Sequence, residues 1–170
     1  SLQGKSDAIR FVRGADIDAD ASQGFAEENG VRFSTDFADA LGDDDVDAVI
    51  LTTPHSLHEQ QITQAAAAGK HVFSEKPLAL TKAGAASAVA ACQDAGLVLG
   101  IGHERRFEPA LLEIKNLIDS GRLGTIQHVE ANFSHDSLAG VKADDWRASE
   151  AELCMTKPAR PVAFSAEWKS

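Results

Sequence analysis

The apolar residues of this chain fall into short blocks separated by polar, helix-forming stretches. Ile9 to Ala15 is apolar and β-branched apart from Arg10 and Arg13, and it closes on Gly14-Ala15-Asp16, as a strand followed by a turn would. Between Asp18 and Asn29, the residues Ala21, Phe25 and Ala26 recur at helical spacing, and Gly30 stands where a left-handed C-cap residue belongs. Val31 to Phe33 predicts a brief strand. Asp36 can cap a short helix, Phe37 to Leu41, that Gly42 closes. Val46 to Leu51 is then a nearly continuous apolar run of strand length, the pattern of a parallel strand buried on both faces.

Thr52-Thr53-Pro54 ends that run, and Ser56 with Glu59 has the spacing of a capping box opening a helix through the alanines to Gly69. His71 to Ser74 restarts a strand, which Glu75-Lys76-Pro77 terminates. Thr81 can cap an Ala-rich helix to Ala95, Gly96 stops it, and Leu97 to Ile101 supplies another strand. Strands separated by helices of this length form βαβ units, so the chain reads as α/β with a doubly wound parallel sheet.

After Ile101 the pattern changes. Gly102 to Phe107 is polar, Pro109 opens an amphipathic helix through Ile118 that ends before Gly121, and Thr125 to Ser134 alternates apolar with polar as a half-exposed strand does. This predicts one domain over residues 1–104 and a linker helix with the beginning of a second over 105–170. From Ala151 onward no period is legible.

Composition narrows the function. The 170 residues suffice for one domain, or for one with the start of another. A net charge of −10, with Lys and Arg scattered along the chain, argues against a nucleic-acid surface. No apolar run approaches the ~20 residues of a membrane span. Cys92 and Cys154 show no paired spacing, which fits a reducing compartment, and the first residues lack a secretory layout, so cytoplasmic residence is expected.

In an open parallel sheet, ligands bind beyond the carboxyl ends of the strands, where loops converge and helix N-termini point. Asp16, Thr52-Thr53-Pro54-His55, Glu75-Lys76 and His103 each follow a predicted strand, so four segments deliver polar groups to one edge. Each alone reads more readily as a solvated loop residue; their convergence is the signal. Asp16 has the placement of an acidic residue that accepts from adenosine ribose hydroxyls, or of a carboxylate at a helix N-terminus. No Gly-x-Gly-x-x-Gly turn precedes it, because Gly4 and Gly14 have the wrong spacing. His55 and His58 lack the further ligands a zinc site needs, so no metal is expected, and His58 reads as a first-turn residue hydrogen-bonded to backbone. Lys76, held between Glu75 and a rigid proline, is restricted to extended backbone, although a surface charge or salt bridge would use the same arrangement.

Val46-Asp47-Ala48-Val49-Ile50 running into Thr53-Pro54-His55-Ser56-Leu57-His58, followed by Ala68-Gly69-Lys70-His71-Val72-Phe73-Ser74-Glu75-Lys76-Pro77, resembles the Gfo/Idh/MocA oxidoreductase family. Downstream, Arg106-Phe107-Glu108-Pro109-Ala110, Ser120 to Gly124 and Asp145-Trp146-Arg147 are similar to stretches leading into that family's second domain. The resemblance implies a Rossmann-type domain binding NAD, with NADP less favoured. It also implies the start of an α/β domain whose open, mainly antiparallel sheet carries substrate contacts and homo-oligomer interfaces. The implied reaction is hydride transfer to or from a sugar, polyol or related hydroxy compound, with no nucleic-acid or membrane partner. By resemblance Asp16, Thr52, Thr53, Pro54, His58, Glu75, Lys76, Pro77 and His103 serve the cofactor. Lys76, Arg106, Trp146 and Arg147 serve the substrate, and Lys76 is catalytic.

Two departures qualify this expectation. The family's first strand and glycine turn, about 20 residues, do not precede Asp16. Its Asp-x-x-x-His segment does not follow Trp146-Arg147, where Glu152 to Lys157 stands instead. The chain is therefore expected to lack part of both domains and to be inactive alone. Two other classes share the fold: a non-catalytic sensor of dinucleotide or sugar, and an NAD-dependent glycosidase that oxidises transiently. Retention of Lys76 favours an enzyme, whereas absence of the downstream histidine favours the sensor, and glycoside turnover without net NADH formation would mark the glycosidase.

Overall fold

Strand and helix alternate through residues 13–101 as the apolar blocks predict. The computed structural model describes residues 9–132 and 142, in two units, Ser1–Ile101 and Gly102–Ser170. The first unit runs β1 (Arg13–Ala15), α1 (Ala19–Asn29), β2 (Arg32–Ser34), α2 (Phe37–Leu41), β3 (Ala48–Leu51), a 3-10 turn (His55–Leu57), α3 (His58–Ala67), β4 (His71–Ser74), α4 (Lys82–Asp94) and β5 (Leu99–Ile101). The local signals account for most of these ends. The Asp36 carboxylate accepts from the Ala38 amide at 2.8 Å and the Thr81 hydroxyl from the Gly84 amide at 3.0 Å, each relieving an orphan donor of a first helical turn. Gly30 and Gly96 end α1 and α4 at φ of 64° and 69°, a region where a Cβ would be strained.

α3 starts later than the spacing of Ser56 and Glu59 predicts. Pro54 starts a tight turn in which its carbonyl accepts from the Leu57 amide at 2.9 Å, so α3 begins at His58 with no side-chain cap and Ser56 lies inside the turn.

The strands form two parallel blocks, β1–β2 and β3–β4–β5, with Val49 opposite Val72, Leu51 opposite Ser74, and Phe73 opposite Gly100. In the doubly wound order 3-2-1-4-5-6, these blocks are the flanks of the first strand. Among the described residues, no strand is hydrogen-bonded between β1 and β3. The core lies on one face of the larger block, where Val49, Leu51 and Val72 pack with Ile62, Ala65 and Ala66 of α3 and Ala88 and Cys92 of α4. Small residues at Gly84, Ala88 and Cys92, four apart, line the buried face of α4. Ile62 is fully buried, and truncating it to Ala would cost about 2–5 kcal/mol.

Burial on both faces, expected for Val46 to Leu51, is not found. Ile50 and Phe73, on the opposite face, stay 46% and 44% exposed, because both α3 and α4 contribute to the core beneath Val49 and Val72. Phe73 instead lies over Gly100, which leaves room for the ring.

An ionic hub joins the two blocks at the amino ends of the strands. Asp43, its side chain 6% exposed, accepts from Arg13 Nε of β1 at 3.0 Å and from Arg32 of β2, and its carbonyl accepts from Lys70 Nζ at 2.9 Å. Burial by itself would push the Asp43 carboxyl up. The Arg13 hydrogen bond, the Asp45 amide and the charges of Arg32 and Arg13 outweigh it and hold the group below the ordinary carboxylate range. A carboxyl depressed in the folded state stabilises above its unfolded pKa, and that contribution is lost as pH falls through the folded value. Asp43→Asn is therefore expected to lower the thermal midpoint near neutrality and to flatten its acid limb, so that the two proteins converge at low pH. Midpoints measured against pH check this; parallel curves would contradict it.

In the second unit, a 3-10 turn (Glu104–Phe107) leads into α5 (Pro109–Asp119), with proline in the first helical turn and Leu111, Leu112, Ile114 and Ile118 at helical spacing. The strand expected from Thr125 is absent over 125–132, and residues 133 and 134 lie outside the described set. Alternation alone does not make a strand, which needs a hydrogen-bonded neighbour. The open, mainly antiparallel sheet is accordingly not found among the described residues.

Candidate active site

Three segments of the first unit leave the carboxyl ends of their strands with polar groups. Asp16 follows β1, is exposed, and accepts the Asp18 amide on Oδ1 at 2.9 Å, the Asx turn that opens α1. Thr52, Thr53 and Pro54 follow β3, with Thr52 exposed and the other two half-buried; the Thr53 hydroxyl donates to Gln61 Oε1 of α3. Glu75, Lys76 and Pro77 follow β4. Lys76 is exposed, its amide lies 3.2 Å from Glu75 Oε2, and the Lys76–Pro77 peptide is cis.

The exits of β3 and β4 are fastened together. The Glu75 amide donates to the Leu51 carbonyl at 2.8 Å, extending the ladder by one bond. Beneath them His58, at the start of α3, has no exposed surface. Its Nδ1 lies 2.7 Å from the Pro77 carbonyl oxygen and its Nε2 lies 2.8 Å from that of Thr53. This corrects the expectation that His58 lines the groove: with both nitrogens engaged by backbone, it supports the loops from inside. The reading of a first-turn histidine bonded to backbone describes it better. Its ring meets that of His55 edge-on, with centroids 5.8 Å apart. Among the described residues, no group of three His, Cys, Asp or Glu side chains is arranged to hold a metal.

Gln61 and Ser74 were not singled out by sequence. Ser74 is fully buried and its hydroxyl donates to the Glu75 carbonyl at 3.0 Å, at the root of the Lys76 turn. A hydroxyl closing an apolar strand just before Glu-Lys-Pro was the available signal. His103 and Arg106 are exposed and belong to the second unit; Trp146, Arg147 and Cys154 lie outside the described residues. Cys92 is 1% exposed, and burial pushes its thiol up. A polar hollow lined by Arg13, Arg32, Asp39 and Asp43 to Asp45 lies at the opposite edge of the strands, and both its arginines are already paired with Asp43.

Parallel strands with helices between them and polar loops at their carboxyl ends are the architecture of dinucleotide-binding folds. The family comparison agrees: residues 2–103 match the model of the GFO_IDH_MocA oxidoreductase family, with its NAD-binding Rossmann fold, and the chain belongs to that family. It is 37% identical over 135 residues to 1,5-anhydro-D-fructose reductase of Ensifer adhaerens, covering 79% of this chain and 40% of that protein. It is 39% identical over 100 residues to scyllo-inositol 2-dehydrogenase (NAD(+)) of Bacillus subtilis, covering 58% and 29%. Among solved structures, the WlbA dehydrogenase of Bordetella pertussis in complex with NADH and UDP-GlcNAcA matches with a TM-score of 0.68 and 33% identity, over 72% of this chain and 35% of that one. The chain thus spans well under half the length of these relatives.

Proposed function

We propose that this chain is the cofactor-side part of a dehydrogenase that moves a hydride between NAD and a hydroxyl-bearing carbon of a sugar or polyol. The observation that carries the proposal is the Glu75-Lys76-Pro77 turn at the end of β4, tied to the Thr53-Pro54 loop at the end of β3. The donor set suits a dinucleotide: an exposed carboxylate at Asp16 for ribose hydroxyls, the Thr52, Thr53 and Pro54 loop for the flat rings, and a cation at Lys76 beside them. NAD, when bound, supplies the hydride acceptor or donor. Lys76 holds the reacting hydroxyl and stabilises negative charge as it develops on the oxygen, or relays the proton by passing one of its own to water as it takes that of the hydroxyl. Glu75 keeps the turn in place through the Lys76 amide. His103, Arg106, Trp146 and Arg147 complete the proposal from the remainder of the chain. Cytoplasmic residence and a homo-oligomer formed through the second domain are part of it.

NAD is the cofactor proposed, because the Asp16 carboxylate repels a 2′-phosphate. Arg13, the nearby cation that would offset it, is held by Asp43 at the other end of β1. Hydride transfer assayed by nicotinamide absorbance in the intact protein, over a panel of sugars and polyols with each cofactor, tests the reading. The expected result is a kcat/KM at least about tenfold higher with NAD, roughly 1.4 kcal/mol. A tenfold preference for NADP, or no turnover of any polyol or sugar, would count against it.

A further inference from the structure

The His58 ring lies between two carbonyl oxygens, Pro77 on its Nδ1 side and Thr53 on its Nε2 side, and none of its surface is exposed. Both partners accept. A neutral imidazole has one N–H and can donate to only one of them. The two sides of the ring face different loops. Pro77 directly follows Lys76, so a bond to its carbonyl fixes the turn that aims the ammonium. Thr53 precedes Pro54, so on its Nε2 side the ring lies against the loop assigned to the cofactor. A side chain that only filled the core would not need two polar ends aimed at two loops.

We infer that His58 is a positioning residue whose Nδ1–H donates to the Pro77 carbonyl and so holds the turn that carries Lys76 in line for proton transfer. This rests on the reading of Lys76 as the catalytic group. Displacing a reacting group by about an ångström costs on the order of a hundredfold in rate, so loosening the turn is expected to appear in kcat, with folding intact.

Two isosteric amides separate the two sides of the ring, since the Asn amide nitrogen falls near the position of Nδ1 and that of Gln near Nε2. In the intact protein, His58→Asn keeps the bond to Pro77 and is expected to retain kcat within a fewfold. His58→Gln, whose amide nitrogen lies on the Nε2 side, leaves the Pro77 carbonyl without its donor and is expected to lower kcat about tenfold or more. A purely structural role would lower both variants alike, and equal losses of kcat, or an unchanged kcat in His58→Gln, would overturn the inference. Lys76→Ala run alongside keeps the two readings apart: normal turnover there removes the catalytic assignment and the inference with it, whereas loss there with no difference in kcat between the two His58 variants removes the inference alone. If either variant fails to fold, the ¹⁵N resonances of the His58 ring in the unsubstituted protein decide. A proton on Nδ1 supports the bond to Pro77, and a bare Nδ1 overturns it.

Discussion

Lys76→Ala is expected to lower kcat in the intact protein by about 10²–10⁴, the range that a positioned proton-transfer group contributes, while the affinity for NAD changes little. The asymmetry follows from when the interaction matters. An ammonium beside a neutral hydroxyl is worth little in the ground state and much more once the oxygen carries negative charge, so its loss falls on the transition state. Lys76→Arg should not restore the rate. A guanidinium is bulkier than an ammonium and does not give up its proton, so it can offset charge but not relay. Steady-state kinetics together with NAD titration of each variant check this, and near-normal turnover in either one would remove Lys76 from the mechanism.

The 170-residue chain by itself is expected neither to turn over substrate nor to bind NAD tightly. Pyrophosphate is held in this architecture by backbone amides of a glycine turn and by the positive end of the helix that follows. No Gly-x-Gly-x-x-Gly stretch occurs among these residues. The groups that remain, Asp16 on the ribose side and Thr53, Pro54 and Lys76 on the nicotinamide side, supply no cradle for two phosphates. Among the described residues β1 and β3 also carry unpaired edges, and the face bearing Ile50 and Phe73 is half-exposed, a combination that favours association between copies. Calorimetry with NAD on this chain, with its mass in solution measured in parallel, decides the point. Micromolar binding by a cooperatively folded monomer would contradict the expectation.

Much of the first unit was legible because its signals act over a few residues. Asp36 and Thr81 cap the helices assigned to them, Gly30 and Gly96 end theirs, and Pro109 starts α5. The Glu-Lys-Pro tract, with the Thr-Pro-x-x-x-His run before it, carried the family resemblance without any three-dimensional information, and the match over residues 2–103 bears it out. Where reading failed, two local rules competed or a local rule lacked a partner. At Ser56 the turn begun by Pro54 moved the start of α3 to His58. From Thr125 to Asn132, the alternation met no neighbouring strand among the described residues.

The sequence by itself determined the order of strands and helices, the edge at which the polar loops emerge, and the family to which those loops belong. All of these follow from periodicity, capping and short motifs, in which the interacting residues lie close together along the chain. The tertiary structure alone decided which partner each polar side chain meets. Asp43 serves Arg13 and Lys70 across 30 and 27 positions, and His58 reaches Pro77 across 19. It also decided that one face of β3 and β4 is buried and the other half-exposed, since that depends on where α3 and α4 pack, and an apolar run reads the same whether one or both of its faces are covered. A buried histidine between two carbonyls and an exposed one beside a cofactor are the same letter in a sequence. Only the positions of Thr53 and Pro77, brought together by the pairing of β3 with β4, distinguish them.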